Sequence, residues 1–150
     1  MKKIAIASLL ALAAISASAV EVGLTTTTDY SAPSARQAFG LSVGQKIGAV
    51  NVTGGFERFT ESANDQDRYS VTAGYDIAKF GPVTVTPKVG VAYLNNQTTA
   101  NGYAMTVGVG ASVPVTKQVS VGVDYARQYG QDRVSASDGN RITAAVKYAF

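Results

Sequence analysis

The sequence predicts an all-β chain: eight antiparallel strands that close into an up-and-down transmembrane β-barrel, preceded by a cleavable signal peptide. Three observations indicate this fold. Apolar residues recur at every second position in eight segments, which is the period of a β-strand. The alternate positions carry mostly Gly, Ala, Ser and Thr, and only 15% of all residues are charged. Tight turns alternate with longer polar loops along the chain, as in barrels that span a membrane.

Residues 1–19 have the features of a signal peptide. Lys2 and Lys3 precede an apolar run over residues 4–15, and Ala17-Ser18-Ala19 forms an A-x-A cleavage site. The run is shorter than the ~20 residues that a membrane-spanning helix needs. We therefore expect cleavage after Ala19, which leaves residues 20–150 as the barrel.

The net charge gives no reason to expect a nucleic-acid partner. Two of the 13 basic residues lie in the signal peptide, so the 10 acidic residues nearly balance those that remain. The high pI therefore comes mainly from a segment that we expect to be removed.

The first four segments cover about residues 20–29, 38–45, 49–59 and 68–77. Their apolar faces contain in turn Val22 and Leu24; Phe39, Leu41 and Val43; Val50, Val52 and Phe56; and Tyr69, Val71, Ala73, Tyr75 and Ile77. Each segment has about the ~10 residues of a tilted strand that crosses a bilayer.

The last four segments cover about residues 83–93, 102–113, 119–126 and 141–150, with the same alternation. Their apolar faces contain in turn Val83, Val85, Val89, Val91 and Tyr93; Tyr103, Met105, Val107, Val109, Ala111 and Val113; Val119, Val121, Val123 and Tyr125; and Ile142, Ala144, Val146, Tyr148 and Phe150. Pro87 lies in the fifth segment, where it cannot donate a ladder hydrogen bond, and we expect a bulge there.

The connections also alternate. Longer polar loops are predicted at about residues 30–36, 60–67, 95–101 and 130–140, and tight turns near residues 46–48, 79–81 and 114–117. Aromatic residues at both ends of the strands predict two belts at the membrane interfaces. The predicted belts are Tyr30, Phe59, Tyr69, Tyr93, Tyr103 and Tyr129 beside the loops, and Tyr75, Phe80, Tyr148 and Phe150 beside the turns.

The small-residue face predicts a narrow lumen that contains a network of charges. A soluble sandwich would instead expose a second face rich in charged residues, whereas small residues suit the interior of an eight-stranded barrel. Unpaired charges in such a lumen are costly, so we expect ion pairs, in particular Glu57 with Lys88 and Glu21 with Lys147. The network could be a plug that fixes strand register, which we favour, or an ion or proton path. Its predicted members are Glu21, Lys46, Glu57, Arg68, Asp76, Lys88, Asp124, Arg141 and Lys147.

No catalytic, metal or cofactor site is predicted. Residues 40–44 match the G-x-S-x-G motif, but the sequence contains no His and no helix pattern follows. The absence of Cys also removes thiolate ligands.

The chain resembles the small eight-stranded barrels of the Gram-negative outer membrane, which include the membrane domain of OmpA and the OmpX-like proteins. The piece most similar to the family is the last strand, Val146-Lys147-Tyr148-Ala149-Phe150, which ends in Phe. The resemblance implies a monomer in the outer membrane, in contact with lipid and lipopolysaccharide. It also implies that Val146, Tyr148 and Phe150 form the C-terminal signal read by the barrel assembly machinery.

The resemblance leaves two functional hypotheses. The first is a non-enzymatic barrel with a structural or surface-interaction role and a plugged lumen. The alternative is a narrow porin-like channel for ions or small solutes. Enzymatic barrels of the same membrane, such as lipid A palmitoyltransferases, rely on a catalytic His that this sequence lacks. A soluble secreted β-protein is a third, disfavoured interpretation.

Overall fold

The computed structural model describes residues 20–30, 35–60, 65–96, 101–131 and 138–150, so the predicted signal peptide lies outside the described residues. No helix within these ranges is long and apolar enough to cross a membrane. The strands are β1 (Val20–Asp29), β2 (Arg36–Ile47), β3 (Val50–Phe59), β4 (Gln66–Tyr75), β5 (Ala78–Phe80), β6 (Val83–Asn96), β7 (Gly102–Pro114), β8 (Val119–Gly130) and β9 (Gly139–Ala149).

The strands form one closed antiparallel ring. The order around the ring is β4-β3-β2-β1-β9-β8-β7-β6, and pairing of β4 with β6 closes it. Both β4 and β5 pair with β6, so they are two parts of one barrel strand. Where the first and last strands meet, the backbone N–H of Phe150 donates a hydrogen bond to the carbonyl of Val20 at 3.1 Å. The predicted eight-stranded up-and-down barrel is confirmed.

The apolar face of the sheet points outward. Leu24 on β1, Phe39 on β2 and Val89 on β6 are 66%, 67% and 58% exposed. The buried apolar residues lie on the other face and include Ala38, Phe59, Ala92, Leu94 and Ala104. This inside-out arrangement excludes a soluble sandwich, which would bury its apolar face between two sheets.

The turns opposite the longer loops are short. The β2–β3 and β5–β6 connections are two residues long and begin with Gly48 and Gly81, at φ of 62° and 60°. Such positive φ angles favour glycine and match the twist of a hairpin. In the β7–β8 turn, the Thr116 hydroxyl accepts hydrogen bonds from the backbone N–H groups of Gln118 and Val119, at 3.2 and 2.9 Å.

The expected bulge lies beside Pro87, on the neighbouring strand. Pro87 itself pairs in unbroken register with Val109 of β7. On its other side, the ladder with β6 is interrupted between Gly74 and Ala78, where three residues (75–77) lie opposite only two residues of β6 (86–87). The Pro87 carbonyl faces Gly74, and in an antiparallel pair the N–H of a residue points to the same neighbour as its carbonyl. The missing donor therefore falls where the neighbouring strand leaves the ladder.

Several strands run further toward the longer loops than their apolar pattern predicts. Strand β6 ends at Asn96 and β8 at Gly130, whereas the sequence predicted ends near residues 93 and 126. Pairing continues beyond the apolar band because neighbouring strands still supply backbone partners there, with Gln66 of β4 opposite Asn96.

A charge on the outer face should destabilise the barrel in proportion to its depth in the membrane. We expect Val89→Arg, near the middle of β6, to lower the free energy of unfolding by about 2–4 kcal/mol, because arginine is costly at the bilayer midplane. The matched control is Val115→Arg in the β7–β8 turn, where the cost should be about 0–1 kcal/mol. Urea unfolding in lipid vesicles measures both, and equal losses would contradict the outward orientation of this face.

Candidate functional site: the lumen charge network

Charged side chains form ion pairs at the turn-side end of the lumen. The Lys46 Nζ lies 3.2 Å from Asp76 Oδ2, and the Lys147 Nζ lies 3.6 Å from Glu21 Oε2. The Asp76 carboxylate also accepts hydrogen bonds from Asn51 Nδ2 at 2.9 Å. The structure thus brings together Glu21 and Lys147, as the sequence led us to expect.

A third ion pair crosses the middle of the lumen. The Lys88 Nζ on β6 lies 2.5 Å from Asp124 Oδ1 on β8, so the pair passes over the intervening strand β7. A Cβ atom at Gly110 of β7 would lie 3.0 Å from the Lys88 Nζ and would collide with the Asp124 carboxylate. The small residues on the inner face of β7 therefore give this pair its space.

The fourth group of charges, which we call the outer cluster, consists of Glu57, Arg68 and Arg141. The Glu57 Oε2 accepts hydrogen bonds from Arg68 Nη1 at 2.8 Å and from Arg141 Nη2 at 2.6 Å. The Glu57 Oε1 accepts a hydrogen bond from the Thr27 hydroxyl. All three charged side chains are less than 10% exposed, so one carboxylate holds two guanidinium groups away from water.

Buried side chains surround the outer cluster. The Arg141 Nη1 donates to Gln128 Oε1 at 3.1 Å, and the Phe59 ring lies 5.5 Å from the Arg141 guanidinium carbon. Asp29 lies 3.9 Å from Arg141 and 3.8 Å from Arg36. The largest side chains with less than 2% exposure lie at this end of the barrel and are Thr27, Asp29, Phe59, Leu94 and Gln128. We call these five residues the buried layer.

The predicted pair of Glu57 with Lys88 is wrong. Glu57 is on β3 and Lys88 is on β6, and the register places Arg68 of β4 directly opposite Glu57. The nearer guanidinium groups therefore occupy the Glu57 carboxylate, and Lys88 reaches Asp124 instead. The prediction overlooked that residues equally distant from the same loop become neighbours in a hairpin.

The assignment of Phe59 to an aromatic belt is also wrong. Phe59 has the same inward parity as Glu57, two residues earlier, and its side chain is fully buried in the lumen. The guanidinium carbons of Arg36 and Arg141 lie 5.2 and 5.5 Å from the centre of its ring. A ring face attracts cations, which explains why an aromatic residue is placed inside.

The other residues assigned to the belts lie on the outer face of the strands or beside their ends. Three ring pairs form there: Phe56 with Tyr69, Tyr93 with Tyr103, and Tyr148 with Phe150. The well-exposed members are Tyr30, Tyr75, Phe80, Tyr103, Tyr129, Tyr148 and Phe150. Whether they anchor the barrel at the two interfaces stays a prediction.

Sequence reasoning missed four polar residues of the lumen: Asp29, Arg36, Gln66 and Gln128. All four continue the inward parity of their strands, and Asp29 pairs in register with both Arg36 and Arg141. They escaped notice because they lie beyond the apolar band, in segments predicted as loop or strand end. Extending the alternation by one or two positions would have found them.

Two cavities lie in the lumen. The inner cavity, of about 120 Å³, has Glu57, Arg68, Lys88, Asp124, Arg141 and Lys147 as its charged wall residues. The vestibule, of about 340 Å³, is lined by residues of the turn-side half, including the Lys46–Asp76 pair. Lys88, Asp124 and Lys147 belong to both walls, so the two spaces meet at the Lys88–Asp124 pair.

The described residues offer little for metal or nucleophilic chemistry. Among them there is no group of three or more acidic side chains that could hold a metal ion, and the sequence has no His or Cys. The carboxylates of Glu21, Glu57, Asp76 and Asp124 are each held by a cation. The arrangement is suited to holding charges in place rather than to transferring protons.

A family model described as Gram-negative porin matches residues 5–150. No curated protein matches the sequence. Among solved structures, the N-terminal β-barrel domain of Pseudomonas aeruginosa OprF is similar, with a TM-score of 0.71 and 14% identity over 89% of this chain and 98% of that domain. Neisserial surface protein A is similar with a TM-score of 0.58 and 15% identity, over 88% of this chain and 95% of that protein. Yersinia pestis Ail is similar with a TM-score of 0.57 and 13% identity, over 89% of this chain and 100% of that protein.

Removing the shared carboxylate should destabilise the barrel strongly. We expect Glu57→Gln to lower the free energy of unfolding by about 3–5 kcal/mol, because two buried guanidinium groups lose their common partner. Asp67→Asn is the matched control, since Asp67 binds Arg58 in a pair with a half-exposed cation. Its cost should stay within about 1 kcal/mol.

Urea unfolding in lipid vesicles measures both changes. A Glu57→Gln midpoint equal to that of Asp67→Asn would show that the outer cluster does not hold the barrel together.

Proposed function

Because the chain belongs to the Gram-negative porin family, we propose that it is a non-enzymatic barrel with a structural or surface-interaction role and a lumen plugged by small residues and paired charges. The family and the barrel fold make it an outer-membrane protein.

The observation that carries the proposal is the buried layer beside the outer cluster. Its five side chains are almost inaccessible to water. Hydrogen bonds link it across the lumen, from Thr27 to Glu57 and from Arg141 to both Glu57 and Gln128. These contacts join β3 to the run of neighbouring strands β1, β9 and β8, and β3 lies across the ring from β8. Such a set supports a closed lumen, because an ion would have to break several buried polar contacts to pass.

A non-enzymatic role is supported by the chemistry of the side chains. The sequence has no His to act as a general base and no Cys to act as a nucleophile. The buried carboxylates of Asp29 and Glu57 are already engaged by arginines.

Contacts on the outside of the barrel are part of the same proposal. The exposed apolar face supports contact with outer-membrane lipid. Arg127, near the loop-side end of β8, stacks on Tyr129 at 5.5 Å and offers a cation for lipopolysaccharide phosphates. Val146, Tyr148 and Phe150 stay exposed on the last strand, which is compatible with recognition by the barrel assembly machinery. The ring closes within one chain, so we propose a monomer.

The alternative, a narrow porin-like channel, is supported by a different observation. The vestibule and the inner cavity meet at the Lys88–Asp124 pair and together extend as far as the outer cluster. Within the described part of the lumen, the outer cluster and the buried layer then form the remaining barrier. If they separated, a continuous polar path would result.

Single-channel recording in planar bilayers distinguishes the two functions. We expect the native barrel to show no steady openings, because the buried layer fills the lumen. Phe59→Ala should introduce openings, since it removes the largest side chain of that layer.

Phe56→Ala is the matched control, because it shortens an aromatic residue on the outward face of the same strand. It should leave the barrel closed. Steady openings of the native protein would overturn the plugged-lumen proposal and favour the channel.

A further inference from the structure

The charges at the loop-side end of the lumen do not balance among the described residues. Three guanidinium groups, those of Arg36, Arg68 and Arg141, surround the two carboxylates of Asp29 and Glu57. In the turn-side half and the middle of the described lumen, the charges form matched pairs: Glu21 with Lys147, Asp76 with Lys46, and Asp124 with Lys88. The excess positive charge therefore belongs to the outer end, where the side chains are most buried.

Arg68 is a buried cation that shares its carboxylate partner. It is 7% exposed, and the Glu57 carboxylate that it binds is shared with Arg141. Its Nε lacks a hydrogen-bond partner in the structure, as does the buried hydroxyl of Thr25. A buried donor without an acceptor costs about 1–3 kcal/mol, and more when it belongs to a charged group. An acceptor with negative charge at this place would remove both costs.

The inner cavity gives such an acceptor room. Arg68 and Thr25 both line it, and its volume of about 120 Å³ holds several water molecules or a small ion. Its walls carry four cationic groups and two carboxylates. Both carboxylates are already engaged, Glu57 with two arginines and Asp124 with Lys88. The cavity is therefore a partly enclosed space whose charged wall groups have a net positive charge.

We propose that the inner cavity binds one small inorganic anion of about the size of chloride. The anion supplies the negative charge that the outer cluster lacks and accepts hydrogen bonds from Arg68 and from the hydroxyl of Thr25. It reaches the cavity through the vestibule, past the Lys88–Asp124 pair. The ion stabilises the fold, and its site is independent of whether the barrel conducts.

The dependence of stability on chloride tests this site. The mature barrel is folded in uncharged lipid vesicles and unfolded with urea, at constant ionic strength, in mixtures of sodium chloride and sodium gluconate. Gluconate is too large for the cavity. For one site, each tenfold rise in chloride above its dissociation constant should lower the unfolding equilibrium constant about tenfold. Equal unfolding in all mixtures would overturn the proposal.

A substitution that adds a carboxylate to the cavity wall tests where chloride binds. Ser70 lines the inner cavity on the same strand face as Arg68, two residues away. Ser70→Asp places a permanent negative charge there, and we expect the chloride dependence to fall at least fivefold. Ser70→Asn is nearly the same size but neutral, and it should keep the dependence of the native protein.

Full chloride dependence in Ser70→Asp would overturn the location. A loss of dependence in both variants would support the location, because the larger side chains would then exclude the ion by their size. A measurement without substitutions covers the case in which Ser70→Asp does not fold. Chloride-35 line broadening by the native barrel should be reversed by bromide and not by gluconate, and an absence of broadening would again overturn the proposal.

Discussion

The constraint on which this structure depends is that lipid offers no hydrogen bonds to a backbone. Every N–H and C=O group within the membrane must find a partner in the protein, so the sheet has to close on itself. With eight strands, closure leaves an interior only wide enough for side chains. The same constraint applies to the interruption of the hydrogen-bond ladder beside Pro87. The donor missing at Pro87 falls where residues 75–77 interrupt the regular register with β6.

The narrow interior in turn determines how charges are arranged. A charge that cannot reach bulk water needs a partner inside, and small residues on neighbouring strands decide which partner it can reach. Gly110 leaves space for Lys88 and Asp124 to meet across β7, and Gly40 leaves space beside the Glu57 side chain. The glycine-rich inner face is therefore the condition under which the ion pairs form.

The lumen differs between its two ends. On the turn side, ion pairs with partly exposed members border an open vestibule. On the loop side, three arginines, two carboxylates and the Phe59 ring are packed together away from water. This difference between the two ends explains why the same structure supports two functions. The packed loop-side end supports a plugged barrel, whereas the open turn-side end suggests an ion path with one barrier at the outer cluster and the buried layer. It also places the surplus positive charge next to a cavity rather than in bulk solvent.

The sequence by itself determined the number of barrel strands, the face that each turns to lipid and the parity of the lumen residues. It could do so because a period of two is a local property of each strand. Only the tertiary structure decided which charges meet. Glu57 and Arg141 are 84 residues apart on strands β3 and β9, and no local pattern encodes their approach. The inward direction of Phe59 follows from the parity of its strand, but its contacts with Arg36 and Arg141 were decided only when three strands came together.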